Sequence, residues 1–344
     1  MVTMKEIARE TGVSVSTVSL VLNHRDEGRV NPTVAARVRH AAERMGYHFN
    51  PMARSLRTKR TRMLGFVSED VATTPYAGGI IAGAQQACRR LGYLMICVNG
   101  TGGDGEIAAL KRYGVDGLMY AMMSNRATSV PDALSDLPLV LVDATDADGR
   151  VPGVVPDEFR IGFDATRRLL DAGCERIAYV GSPGPMVAQS GRLAGYHAAL
   201  EEAGRVFDER LAIEVSNNAP ALDAVASLFD GPRPDGFFCF NDARAWYVYE
   251  CAARRGLAVG RDISVVGVDN HRVLAETFVP ELTTVELPHV EMGYWAACRL
   301  IRDIEGGLPD GFAMPDTTAE LPDLDASPHA TIRCALIEKQ SVRG

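Results

Sequence analysis

Apolar positions recur at helical spacing through the first fifty residues and in strand-length runs thereafter, so the pattern divides the chain near residue 60. Thr3-Met4-Lys5-Glu6 has the form of a capping box, in which the Thr3 hydroxyl accepts from the Glu6 amide and the Glu6 carboxylate reaches back. The helix it opens places Met4, Ile7 and Ala8 on one face and stops at Gly12, which suits a left-handed turn. Ser14 caps a second helix, residues 15 to about 23, with Val18, Val21 and Leu22 as its inward stripe. Asn31-Pro32, an N-cap followed by a first-turn proline, opens a third. That helix aligns Val34, Val38, Ala41, Ala42 and Met45 and closes at Gly46. Two short helices separated by Thr11-Gly12-Val13-Ser14 match the helix-turn-helix plan, although spacing alone also admits a generic three-helix bundle. A further Asn-Pro cap, Asn50-Pro51, leads a short stretch with little apolar face, marginal by itself in water.

From Met63 onward, apolar runs alternate with amphipathic stretches. Met63 to Val67 precedes a helix at 77–91, and Tyr93 to Val98 precedes one at 104–113. Runs at 117–120, 139–142, 176–180, 236–240 and 263–268 continue the rhythm. This β-α-β alternation predicts doubly wound parallel sheets, and the length allows two. Ligands in such architectures lie beyond the carboxyl ends of strands. The polar residues there are Ser68-Glu69, Asp143, Gly181-Ser182, Asn241-Asp242 and Asp269-Asn270. Each could instead be a helix cap, and Asp242 is read as one.

Charge sharpens the division. Residues 1–62 carry 12 Lys/Arg against 5 Asp/Glu, a charge of +7, which leaves −15 for the remainder of a chain whose total is −8. A basic end on an acidic body suggests that the end meets a polyanion. The charged opening residues do not resemble a signal peptide, and no apolar run approaches a membrane span, so a cytoplasmic protein with no membrane partner is expected. Seven cysteines without a C-x-x-C pair, including Cys97 and Cys239 among apolar neighbours, read as small buried hydrophobes. No dinucleotide fingerprint, Walker loop, H-E-x-x-H or G-x-S-x-G occurs, and Gly102 to Gly105 lacks the lysine of a phosphate cradle. The His residues show no metal spacing. A non-enzyme without cofactor or metal is therefore expected.

The segments "MKEIARETGVSVSTVSLVLN", "VNPTVAARVRHAAERMGY" and "NPMARSLRTKRT" together resemble the headpiece and hinge of the LacI/GalR (lactose/galactose/purine-repressor) family. The likeness continues through "GRLAGYHAAL", "FNDARAWYVYE", "GLAVGRDISVVGVDN" and "ELTTVELPHVEMGYWAACRLI". It implies an all-α helix-turn-helix headpiece plus an α/β periplasmic-binding-protein-like sensor of two doubly wound parallel-sheet lobes. The implied divisions are a headpiece at 1–49, a hinge at 50–61 and a sensor at 62–344. Within the sensor, one lobe would hold 62–159 and 289–320, the other 160–288 and 321–344.

What the resemblance implies for function is a repressor that binds a pseudo-palindromic double-stranded operator as a homodimer. Val15, Ser16 and Leu20 would face bases, and Thr17, Ser19 and Asn23 would position the helix on phosphates. The hinge residues Asn50, Ala53, Arg54, Leu56 and Arg57 would complete the contact, with Leu56 as a minor-groove wedge. Leu20 stands where an Arg or His reader is common, which argues against a strong guanine contact. Tyr76, Asp143, Arg192, Asn241 and Asp269 would hold a small-molecule effector between the lobes. An arginine fork opposite a carboxylate suits vicinal hydroxyls and favours a sugar or polyol. Met186 occupies a position where purine-responsive members carry Arg. A solute-binding protein without a DNA role, or a purine- or nucleoside-responsive regulator, are the alternatives.

Overall fold

The computed structural model describes residues 2–23, 25–47, 60–74, 77–100, 104–130, 134 and 136–344. It divides into two units, 1–61 and 62–344.

In the first unit, α1 (Met4–Thr11), α2 (Val15–Leu22) and α3 (Pro32–Arg44) follow the sequence signals closely. Thr3 and Glu6 form the reciprocal capping box, Gly12 takes φ +66°, Ser14 accepts from the Thr17 amide, and Asn31 caps α3 ahead of Pro32. Ile7, Ala8, Val18, Val21, Ala35, Val38, Ala41 and Ala42 make the shared core.

The second unit runs through β1 (Met63–Ser68), α4 (Gly78–Arg90), β2 (Leu94–Asn99), α5 (Asp104–Arg112), β3 (Gly117–Thr128), β4 (Leu139–Asp146) and β5 (Gly153–Pro156). It continues with α6 (Glu158–Asp171), β6 (Ile177–Gly181), α7 (Val187–Glu202), β7 (Ala212–Glu214), α8 (Pro220–Asp230), β8 (Gly236–Cys239) and α9 (Asp242–Arg254). The last elements are β9 (Ser264–Val268), α10 (Arg272–Ala275), β10 (Thr283–Glu286), α11 (His289–Glu305), β11 (His329–Ile332) and β12 (Ala335–Ile337). The strands form two six-stranded sheets, ordered β11-β5-β4-β3-β1-β2 and β12-β10-β9-β8-β6-β7. Apolar clusters cover both faces of each sheet, the signature of double winding.

Three details depart from the sequence reading. The β10–β12 pairing is antiparallel while every other ladder is parallel. Strand β11 joins the first sheet beside β5, so the chain changes lobe after Ile332 and not near 320. Cys97 is exposed, because β2 is the outermost strand and its apolar run faces outward in part; the other six cysteines are buried. The five short strands β5, β7, β10, β11 and β12 escaped the sequence reading, being too brief to show a period.

One packing device recurs in each lobe. Where α4 crosses α11, a Cβ on Gly83 would lie 1.9 Å from the Val290 carbonyl oxygen, and one on Gly293 would lie 1.9 Å from that of Ile80. Where α6 crosses α7, a Cβ on Gly162 would meet the Arg192 oxygen at 2.0 Å and one on Gly195 the Phe159 oxygen at 2.0 Å. The helix backbones touch directly at these paired glycines, a distance at which Cα–H···O contacts form. Gly195→Ala should therefore destabilise by about 1–3 kcal/mol through overpacking, although alanine is the better helix former by roughly 1 kcal/mol. Gly105→Ala, in α5 with open space at its Cβ, should instead be neutral or stabilising. Urea unfolding of the two variants checks the opposite signs.

Candidate functional site

The outward face of α2 is the first candidate. Val15 is 41% exposed and Ser16 is also exposed, while Thr17, Ser19 and Leu20 are half-buried. The Ser14 hydroxyl lies 2.7 Å from the Ser16 hydroxyl and 2.9 Å from that of Thr17, so the start of the helix is a ring of small hydroxyls. Asn23 turns its amide inward, donating to the Ser19 carbonyl at 2.6 Å. The helix carries no charged or amide side chain. Its surroundings are basic, though Arg39 and Arg44 are drawn into ion pairs with Asp26 and Glu10. The expected contacts at Asn50, Ala53, Arg54, Leu56 and Arg57 lie outside the described residues.

The second candidate lies between the two sheets. Met123, Ser124 and Asp143 come from the carboxyl ends of β3 and β4, and Phe240, Asn241 and Asp269 from those of β8 and β9. With Glu158, Arg192, Leu287 and His289 they line a cavity of about 30 Å³, room for roughly one water. A wider cleft of about 850 Å³ adjoins it and shares Asp269, Leu287 and His289. The large cleft has the volume of a ligand site, yet of the expected residues that are described it carries only Asp269. The small cavity gathers Asp143, Arg192, Asn241 and Asp269. Tyr76 lies outside the described residues.

Arg192 is the centre of this constellation. Its Nε donates to Glu158 at 2.7 Å and its Nη1 to the Phe240 carbonyl at 2.6 Å, with both charged side chains about 4% exposed. Burial disfavours the guanidinium charge, but Glu158 and Asp269 offset this and hold its pKa above the ordinary value. Its Cζ lies 4.4 Å from the centroid of the Phe240 ring, and that of Arg244 lies 5.1 Å from the same centroid. Arg244 also fixes Asn241, whose Oδ1 accepts from the Arg244 amide and guanidinium at 3.1 Å each. Asn241, not Asp242, is therefore the cap of α9. Asp242 is fully buried and accepts from Thr284 Oγ1 at 2.7 Å and the His271 amide at 2.8 Å.

Two carboxylates face the cavity with different support. Asp143 accepts from the amides of Ser124 and Asn125, both at 2.9 Å, while burial and then the Glu158 charge push it up to about 8. Asp269 is 8% exposed, and among the described residues no side chain or amide donates to its carboxylate. Burial, then the neighbouring Asp242, hold it well above the usual carboxylate range, and burial raises Asp242 to about 7. His289, buried beside Arg192, is pushed down to about 4 and is neutral. Backbone strain gathers here as well. Ser124, Asn125, Asp143, Asp269 and Asn270 all have positive φ, between 46° and 111°. Such outliers point to function where surrounding structure holds them in place.

Glu158, Phe240 and Arg244 were not picked out from the sequence. Glu158 follows β5, whose four residues end in proline and hide the strand-end rule that marked the others. Glu69, which that rule did mark, pairs with Arg126 at 3.1 Å and accepts from Tyr120 at 2.9 Å, away from the cavity. Among the described residues no group of His, Cys, Asp and Glu is placed to hold a metal, and no helix is long and apolar enough to cross a membrane.

The profile of bacterial regulatory proteins of the lacI family matches residues 3–50, and that of the periplasmic binding protein-like domain matches residues 166–319. The ribose operon repressor of Escherichia coli (strain K12) is 32% identical over 316 residues, covering 88% of this chain and 93% of the relative. The chain belongs to the LacI family. The HTH-type transcriptional repressor PurR of Vibrio atlanticus (strain LGP32) is also 32% identical, over 304 residues, 85% of this chain and 89% of the relative. Among solved structures, the complex of the transcriptional regulator CelR with cellobiose covers 99% of this chain and 100% of its own at 26% identity, with a TM-score of 0.63. As a LacI-family member the chain is a DNA-binding transcriptional repressor, of a family of regulators and not enzymes.

The buried carboxylates give this LacI-family sensor a pH signature. Asp143, Asp242 and Asp269 have raised folded pKa values, so the folded state binds more protons than the unfolded one, and stability without effector falls as pH rises from the ordinary carboxylate range towards 7 and 8. Asp269→Asn should flatten this slope and raise Tm at neutral pH by about 2–4 °C. Melting curves across pH check this; a retained slope with an unchanged Tm counts against a buried charge at Asp269.

Proposed function

We propose that the chain represses transcription as a cytoplasmic homodimer on a pseudo-palindromic operator, under the control of a sugar or related polyol bound between its lobes. The headpiece at 1–49 reads bases through Val15, Ser16 and Leu20, with Thr17, Ser19 and Asn23 at the phosphates. The hinge at 50–61 adds Asn50, Ala53, Arg54, Leu56 and Arg57. The observation that carries the sensor half is the convergence of Asp143, Arg192, Asn241 and Asp269 on one cavity at the carboxyl ends of both sheets. Acceptors on one side and an arginine on the other suit hydroxyls, which donate and accept. The ribose repressor and the cellobiose complex support a saccharide.

A purine effector is the second reading, favoured by the equal likeness to PurR. Against it, Met186 offers no donor at the start of α7, and Phe240 is already stacked on two arginines. Because the small cavity holds about one water, a bound effector separates the lobes or extends from the wider cleft. Either movement biases the hinge, and a shift of a few kcal/mol suffices to switch a marginal element.

Gel shifts with DNA upstream of the gene, with and without sugars and nucleosides, test the whole reading. A specific complex whose affinity changes at least tenfold with one sugar is expected. Leu56→Ala should weaken specific binding far more than nonspecific binding, and an equal loss on all DNA would remove the wedge. Because α2 lacks charged and amide groups, thymine methyls are its natural contacts. Uracil in place of a contacted thymine should lower affinity about fourfold per methyl, from roughly 0.8 kcal/mol per buried carbon.

A further inference from the structure

Residues 306–328 join α11 to β11 without a helix or strand of their own. Connections longer than about 12–15 residues that carry no secondary structure are uncommon, and they are mostly either loose linkers or binding loops. This one is packed down. Trp295, Arg299 and Arg302, at helical spacing along one side of α11, donate to its carbonyls. The Trp295 indole reaches Pro322 at 3.1 Å, Arg299 reaches Leu324 and Ser327 at 3.2 and 3.1 Å, and Arg302 reaches Leu324 at 2.7 Å. Ala319 and Leu324 are buried, and Phe312, Met314 and Leu321 pack on the same core of the first sheet. Arg90 of α4 lies over the Phe312 ring at 4.5 Å. Ordering so long a segment costs backbone entropy, and these contacts offset it.

Between the anchors at Phe312 and Met314 and those from Ala319 onward lies a stretch that is held but not covered. Asp316, Thr317 and Thr318 line the wide cleft. Thr317 turns its hydroxyl back to the Ala319 carbonyl at 2.8 Å, and the Ala319 amide donates to Glu291 of α11 at 3.3 Å. Asp316 and Thr318 are exposed, and among the described residues neither side chain forms a hydrogen bond or an ion pair. Uncommitted polar side chains on a loop fixed at both ends are the usual form of a recognition loop on a rigid scaffold.

The second sheet lines the same cleft through residues 269–273, which follow β9. Asp269 among them also borders the small cavity. A cleft of about 850 Å³ lies near the upper end of ligand-site volumes, on the order of 300–1000 Å³, and one sugar ring fills only part of it. We propose that the α11–β11 connection supplies an outer subsite of the effector site. Asp316 and Thr318 hydrogen-bond the second ring of a saccharide of two or more rings, whose first ring reaches Asp269. This rests on the sensor reading above and adds the size of its ligand and two residues that select it. The Asp316 carboxylate accepts from ring hydroxyls, and the Thr318 hydroxyl both donates and accepts. A single ring engaged at Asp269 forgoes these contacts.

The test uses the full chain in calorimetric and thermal-shift titrations with matched sets. Cellobiose, maltose and trehalose are set against glucose, sucrose against glucose and fructose, and lactose against glucose and galactose. The expected result is one two-ring sugar that binds at least tenfold more tightly than its component rings. Asp316→Ala combined with Thr318→Ala should then reduce that advantage about tenfold, the loss of one or two hydrogen bonds, while a component ring changes by no more than about twofold. Glu320→Ala, exposed on the same connection but outside the cleft lining, is the control and should leave the two-ring affinity as it was. A component ring that binds as tightly as its disaccharide overturns the second ring. An advantage that survives the double substitution, or that falls equally with Glu320→Ala, overturns the roles of Asp316 and Thr318. Indifference to every sugar in both assays overturns the sensor reading and the subsite with it. Gel shifts on the same preparation then show whether the DNA-binding reading stands alone.

Discussion

The sensor depends on a helix crossing so close that no side chain fits within it. Gly162 of α6 and Gly195 of α7 bring backbone against backbone, and Gly191 lets Glu158 settle on α7, where an added Cβ would lie 2.6 Å from that of Glu158. This approach seats Glu158 against Arg192, with both side chains about 4% exposed. A buried ion pair of this kind contributes little net stability, but losing either partner strands the other charge. The pair therefore acts as a positional lock. Arg192 is held against the Phe240 ring and carbonyl, Arg244 closes the other side, and Asn241 is fixed in turn. From one glycine contact follows the placement of three polar groups at the cavity.

What the lock positions is deliberately uncomfortable. Asp143 and Asp269 are buried carboxylates on left-handed backbone, and among the described residues Asp269 has no donor. Strain and unmet hydrogen-bonding capacity of this sort are maintained only where surrounding structure is well determined. Both sheets, covered on each face, supply that rigidity. The lobes are joined by three chain crossings, after β5, β10 and β11, and the first two carry Glu158, Leu287 and His289 into the cavity wall.

The headpiece follows a different economy. Its core is eight small or medium apolar side chains, and its stability leans on caps: the Thr3–Glu6 box, Ser14, and Asn31 with Pro32. The exposed side of α2 is left to valine, leucine and small hydroxyls, with no charged or amide side chain on the helix.

Much of this was legible in the sequence because the determining interactions are local. Caps, the glycine turn after α1 and the apolar stripes of three helices lie within a few residues of one another, and long buried strands announce themselves by composition. The strand-end rule located Asp143, Asn241 and Asp269, and family likeness added Arg192. Tertiary structure alone decided which polar groups meet: that Glu158 and not a ligand neutralises Arg192, that Asn241 and not Asp242 caps α9, that Cys97 lies on an open edge, and that β11 returns to the first sheet. These depend on contacts between residues tens to hundreds of positions apart, and a linear pattern carries no record of such distances.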